Sequence, residues 1–150
     1  MPQFGSPSPG RVHRDRPAAF GIAERDGLIA CVRVRPLAGG DWLDLPGGAL
    51  DPGEDDLTAL IREFGEETGL IITVGPLVTR FGQYFLMTDG EAVNNLGAVH
   101  GVTLTGEDGR LKIEDDHELV WLAPDEAVRR LRHDAHAWAV ARWLRGKTAK

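Results

Sequence analysis

At 150 residues the chain is long enough for one domain with one core, and 42% hydrophobic with 27% charged residues is an ordinary globular balance. The net charge of −6 argues against a non-specific nucleic-acid binder, which would show a basic face, so no long nucleic acid is expected as a partner. Small phosphorylated substrates stay open, because a bound divalent cation reverses the local sign. The single cysteine, Cys31, rules out an intrachain disulfide and fits a reducing compartment. No charged start leads into an apolar run and no stretch approaches membrane-spanning length, so a cytoplasmic protein without a membrane partner is expected.

Residues 1–15 hold three prolines, two glycines and little apolar content, the composition of a flexible tail, with a single domain expected over 16–150. Residues 18–34 read as two strands around a turn at Asp26-Gly27. DWLDL (41–45) is a short strand, and PGGALDPGE (46–54) a turn-rich loop. Asp55 or Asp56 is placed to cap a helix running to about Thr68, where Gly69 supplies the C-terminal stop. Residues 70–88 read as one long strand or two, broken near Gly75-Pro76, and 98–106 as another. A polar loop then leads to a strand at 119–123, a short helix opened by Pro124, and a last helix over about 135–145 capped by Asp134. Strands interrupted by one helix, then two closing helices, point to an α+β fold or an α/β/α layering rather than regular βαβ alternation.

The first helix carries two patterns. Leu57, Leu60, Ile61 and Phe64 follow the spacing of a core-facing stripe. Glu63, Glu66 and Glu67 fall on another flank at i, i+3 and i+4, so their carboxylates converge. Convergent carboxylates near the negative end of the helix dipole, beside a helix-weakening Gly65, break local stability rules unless a cation sits among them. Hard divalent cations take oxygen ligands of this kind.

The wider context is more specific. Gly48, five residues, Glu54, seven residues, then Arg62-Glu63-Phe64-Gly65-Glu66-Glu67-Thr68-Gly69-Leu70 resembles the Nudix box, G-x5-E-x7-R-E-U-x-E-E-x-G-U. Every fixed position matches, with Phe64 and Leu70 at the two bulky apolar positions. The resemblance implies a Nudix-type α/β/α sandwich with a mixed sheet. It also implies Mg²⁺- or Mn²⁺-dependent hydrolysis of a nucleoside diphosphate linked to another moiety. Carried onto this chain, Glu63, Glu66 and Glu67 would bind metal with the Gly48 carbonyl. Arg62 would orient a glutamate through charge-assisted hydrogen bonds. Glu54 would hold the loop against the helix. Glu66 or Glu67 would make the closest metal contact, the two not being separable from the sequence. Nudix enzymes often add an acid from a later loop. The candidates are Glu114, Asp115, Asp116 and Glu118, of which Glu118, three residues before Trp121, is favoured as metal ligand or general base.

Around this box, Trp42, Phe81, Tyr84 and Phe85 could stack on a base or fill the core. Trp42 is the favoured substrate contact because its strand leads into the LPGG loop. Asn94 and Asn95 could meet a base edge or form a turn. The pair His133 and His136 lacks a third ligand nearby and is set aside as a metal site. A homodimer is compatible with the chain. The reading is a pyrophosphohydrolase acting on a nucleotide-like diphosphate. A nucleotide sensor without hydrolysis, or an isoprenoid diphosphate isomerase, are the alternatives.

Overall fold

The computed structural model describes residues 1–35 and 42–148. After β1 (Gln3–Phe4) come the hairpin strands β2 (Arg14–Arg25) and β3 (Leu28–Val34). Asp26 and Gly27 turn the chain with φ of 54° and 79°, as a tight hairpin requires. Two short strands follow, β4 (Trp42–Asp44) and β5 (Gly47–Ala49), and then helix α1 (Asp56–Thr68). The long strands β6 (Leu70–Leu86) and β7 (Ala92–Glu107) form the largest pairing. Strand β8 (His117–Leu122) and helices α2 (Pro124–Arg130) and α3 (Asp134–Thr148) close the chain.

The strands join in the order β1-β6-β7-β2-β3-β4, with β5 on β2 and β8 on β3. Strand β2 runs parallel to β7 and antiparallel to β3 and β5, so the sheet is mixed. Alternation along β2 divides the core into two layers. Ala18, Phe20 and Ile22 face Ala135, Ala139 and Val140 of α3. Ala19 and Ala23 face Leu60 and Phe64 of α1. Helices therefore cover both faces of the sheet, the expected α/β/α arrangement within an α+β fold. Phe64 is completely buried, which is worth roughly 2–3 kcal/mol for a side chain of that size.

Helix α1 starts and stops where the sequence indicated. Asp55 accepts a hydrogen bond from the Thr58 N–H at 2.8 Å, and Gly69, at φ 76°, turns the chain out of the helix. The buried stripe is rotated from the expected one. Leu60 and Phe64 are in the core, but Leu57 and Ile61 are about half exposed, at 49% and 48%. Gly65 and Glu67 are buried in their place. The face of α1 that meets the protein is thus centred on the glutamate flank.

Four other features differ from expectation. The segment read as a tail contains β1, which pairs with Gly82 and Gln83, and Phe4 packs on Trp138 with ring centroids 5.7 Å apart. One aromatic anchor in a Pro/Gly-rich context was too weak a pattern to read as a strand. The turn-rich loop includes β5, whose pairing to β2 uses backbone groups and leaves no side-chain periodicity. Strand β7 begins six residues early, at Ala92, because its backbone pairs from there with β6 and from Val93 with β2, and the Asn94 and Asn95 side chains accept from Gln3 and Arg16. Asp134 lies inside α3 rather than capping it, and the Ala135 N–H is satisfied by the Gln83 side chain at 3.2 Å.

Candidate active site

The glutamates are gathered by Arg62. Its guanidinium donates to Glu54 through Nε at 2.9 Å and Nη2 at 2.8 Å, to Glu63 at 3.0 Å, to Glu66 at 3.1 Å and to the Ala49 carbonyl at 3.2 Å. One planar cation thus ties α1 to the strand and loop before it. Hydrogen bonds from Arg62 hold Glu54 down at about 2, so it is ionised at any physiological pH. The Arg62 guanidinium is pushed up in turn, first by Glu54.

Glycines bring the backbone against these carboxylates. Gly47, at φ 142°, crosses β2 so closely that a Cβ would stand 2.1 Å from the Ala19 carbonyl oxygen. The Gly47 N–H donates to Glu67 at 2.9 Å. At Gly48 a Cβ would meet the Glu63 carboxylate at 3.0 Å. Gly65 faces Leu111 from the short 3₁₀ turn Gly109–Leu111, where a Cβ would stand 3.5 Å from the leucine, an ordinary contact distance.

The loop before β8 is fastened to the end of α1. The Glu66 carbonyl accepts both the Ile113 N–H at 3.0 Å and the Glu114 N–H at 3.2 Å. This places Glu114 beside the helix glutamates. Ligand atoms of Glu63, Glu66 and Glu114 lie within 4.8 Å of one another, as do those of Glu67, Glu114 and His117. His117 Nε2 stands 3.1 Å from Glu67, and its Nδ1 lies 3.2 Å from Glu114 and 2.9 Å from Asp116. Burial alone would lower the His117 pKa, but Glu67 and the other carboxylates outweigh it and bring it to about 9. Burial raises Glu67 to about 7 and raises Glu63 as well.

Oxygen donors held this close, several of them withdrawn from water, match what a hard divalent cation takes. The absence of a Cβ at Gly48 keeps that space open. The residues present fit a divalent metal.

Glu118 goes elsewhere. It alternates with His117 along β8, so the side chain leaves the cluster and pairs with Arg33 and Arg35, both at 3.3 Å, on the exposed surface. The late acid at the cluster is Glu114, and Asp115 is exposed. Sequence reasoning missed His117 altogether. The signal was available, since an inward His117 and an outward Glu118 are two outcomes of one register.

A cleft of about 310 Å³ opens beside the cluster. Glu63, Glu67, Glu114 and His117 line it with Gly47 and Gly48, and Trp42, Phe85, Asn95, Arg16 and Arg132 line the rest. Trp42 is half-buried under Arg132, whose guanidinium carbon lies 4.3 Å from the ring centroid. Arg132 grips Asp44 through two hydrogen bonds at 3.1 and 2.6 Å. Phe81 belongs to the core, while Phe85 reaches the cleft. His136 accepts the Leu45 N–H at 3.2 Å, and burial keeps it and His133 neutral at physiological pH. These histidines form the back wall of the cleft and join no metal-type cluster among the described residues.

A mixed sheet between helix layers, with an arginine-bound glutamate cluster at the end of one helix, defines a hydrolase of the Nudix class. The NUDIX domain family matches residues 13–144, and the chain belongs to that family. Over 111 residues it is 32% identical to a CTP pyrophosphohydrolase of Escherichia coli (strain K12), covering 72% of this chain and 76% of that protein. A NUDIX hydrolase from Nitrosomonas europaea superposes with a TM-score of 0.76 at 21% identity, covering 89% of this chain and 91% of the other. A MutT protein from Methanosarcina mazei Go1 does so with 0.71 at 19% identity, covering 90% and 96%. This chain is an enzyme, a Nudix pyrophosphohydrolase. No helix among the described residues is long and apolar enough to cross a membrane.

Proposed function

We propose that this enzyme hydrolyses the diphosphate linkage of a nucleotide with Mg²⁺ or Mn²⁺ held by Glu63, Glu66 and Glu67 and by the Gly48 carbonyl. The observation that carries this is that the two carboxylate groups, joined through Glu114, present Glu63, Glu67 and Glu114 to a cleft also lined by Trp42, Phe85 and the Asn95 amide. When bound, a divalent cation neutralises phosphate oxygens and activates water for attack at phosphorus.

The chain's own groups prepare that chemistry. Arg62 fixes the carboxylates of Glu63 and Glu66 so that they need not reorganise. Gly47 holds Glu67 from the backbone. Glu114, common to both groups, stands where it can take a proton from water, and we assign it as the general base. This is the role sequence reasoning gave to Glu118. Trp42 and Phe85 supply surfaces for a base, and Asn95 an amide for polar contact. The relative named for CTP makes that nucleotide the first to test.

The test is release of phosphate or pyrophosphate from a panel of nucleoside triphosphates, oxidised nucleotides, dinucleoside polyphosphates and nucleotide sugars. Each is assayed with Mg²⁺, Mn²⁺ or EDTA. Turnover that needs metal and is lost in E67Q is expected. Tight binding without turnover of any member, or turnover undiminished in EDTA, refutes the reading.

A further inference from the structure

Arg16 shares a strand face with Ala18 and Phe20, so it rises from the floor of the cleft. Its register partner on β7 is Asn95, whose Oδ1 accepts from Arg16 Nη1 at 2.9 Å. The other cations around the cleft are engaged by carboxylates. Arg132 is bound to Asp44, and His117 stands among Glu67, Glu114 and Asp116. Arg16 forms no ion pair with any described carboxylate, and its one hydrogen bond among the described residues goes to a neutral amide. Burial pulls its pKa below the ordinary arginine value, and the charge of nearby Glu63 is the main influence opposing that.

A half-buried guanidinium with one of five donors satisfied lacks its natural partner, an anion. The substrate is that anion. Its phosphates must approach the glutamate wall, and Glu63 belongs to it. We infer that Arg16, steadied by Asn95, is a substrate-binding residue that takes an anionic phosphate oxygen on the floor of the cleft. The planar fork of arginine suits a phosphate, and the neutral partner orients it without cancelling its charge. This rests on the nucleotide hydrolase reading above.

The test separates phosphate from base by using tripolyphosphate, which has neither base nor sugar. Mg·tripolyphosphate is titrated calorimetrically into the parent, R16Q, R16K and N95A proteins. In parallel, kcat and KM are measured on the best nucleotide of the panel. A charge-assisted contact of ordinary strength corresponds to a loss of about 10- to 100-fold. R16Q is expected to lose that much affinity for tripolyphosphate and to raise KM similarly, with kcat within about threefold. R16K should recover part of the loss, and N95A should show a smaller one.

Unchanged tripolyphosphate affinity in both R16Q and R16K overturns the inference, including where KM changes for one base only. Failure of the parent to bind tripolyphosphate overturns it too. A parent that binds tripolyphosphate but hydrolyses no nucleotide refutes the hydrolase reading, and the affinity ratio still decides the role of Arg16. If R16Q does not fold, R16K carries the measurement, with a loss of about threefold or more expected and parental affinity overturning the inference.

Discussion

Replacing Glu67 by glutamine should make the metal-free protein more stable at alkaline pH and less active at every pH. Glu67 is 4% exposed, accepts the Gly47 N–H and stands 3.1 Å from His117. Burial raises its pKa from 4.5 to about 7 even with the opposing pull of His117. At about 1.4 kcal/mol per pH unit, the ionised form carries a penalty on the order of 3 kcal/mol above pH 7. The sign follows from the raised value. The folded state favours the proton, so this contribution is full below about pH 4.5 and is lost as pH rises through about 7. Glutamine keeps the acceptor for Gly47 and never ionises. Burying its amide returns part of the gain, leaving about 1–2 kcal/mol. For a chain of this size that raises Tm by about 2–8 °C. Parent and E67Q would be melted in EDTA at pH 8 and pH 5, then in Mg²⁺ at pH 8. The advantage should appear at pH 8 and vanish at pH 5, where the parent's Glu67 is already protonated. In Mg²⁺ the parent should gain more than the variant, because ligand binding adds stability only where the site is intact. Turnover should fall at least about 10²-fold. An E67Q protein less stable than the parent in EDTA at pH 8 would refute the reasoning, since Glu67 would then be holding the fold through its charge.

The two loop acids give a paired test. E114Q should lower kcat by about 10²-fold or more, while E118Q should stay within about twofold, because exposed pairs such as those with Arg33 and Arg35 are worth about 0–1 kcal/mol. Steady-state kinetics that reverse this order would restore Glu118 to the site. Gly48→Ala sets a methyl 3.0 Å from the Glu63 carboxylate, so kcat should drop more than about tenfold and the Mg²⁺-induced rise in Tm should shrink. An unaltered metal response would show that the carboxylate moves aside freely. Deleting residues 1–5 removes β1 and the Phe4–Trp138 contact, at about 1–2 kcal/mol for a partly buried phenylalanine. A melting curve identical to the parent's would mean that the strand contributes nothing.

The legible parts of this protein were those written in local rules. Asp55, Gly69 and the Asp26-Gly27 turn announce themselves because capping and tight turns need particular residues at particular positions. The glutamate cluster was visible because helix geometry alone brings i, i+3 and i+4 together. What stayed hidden depended on partners far away in sequence. Leu57 and Ile61 were assigned to the core because a helix wheel cannot say which side of an apolar stripe the sheet covers. Arg16 and Asn95 are 79 residues apart and become neighbours only through the parallel pairing of β2 with β7. His117 and Glu118 needed the register of β8 on β3, and a shift of one residue exchanges them.

The double hydrogen bond from the 113–114 main chain to the Glu66 carbonyl has a consequence for how such enzymes diversify. Its donors are peptide N–H groups, so the fastening does not depend on which side chains occupy those positions, proline apart. Glu114, the proposed general base, is gauged from the helix end by that anchor rather than by the length of chain leading to it. The stretch between Asp108, whose N–H is held by the Gly69 carbonyl, and Ile113 can therefore change composition while Glu114 keeps its station. None of the residues 108–112 lines the cleft, so a loop inserted there would alter what the cleft accepts only if it were long enough to reach it, and it would do so without resetting the chemistry.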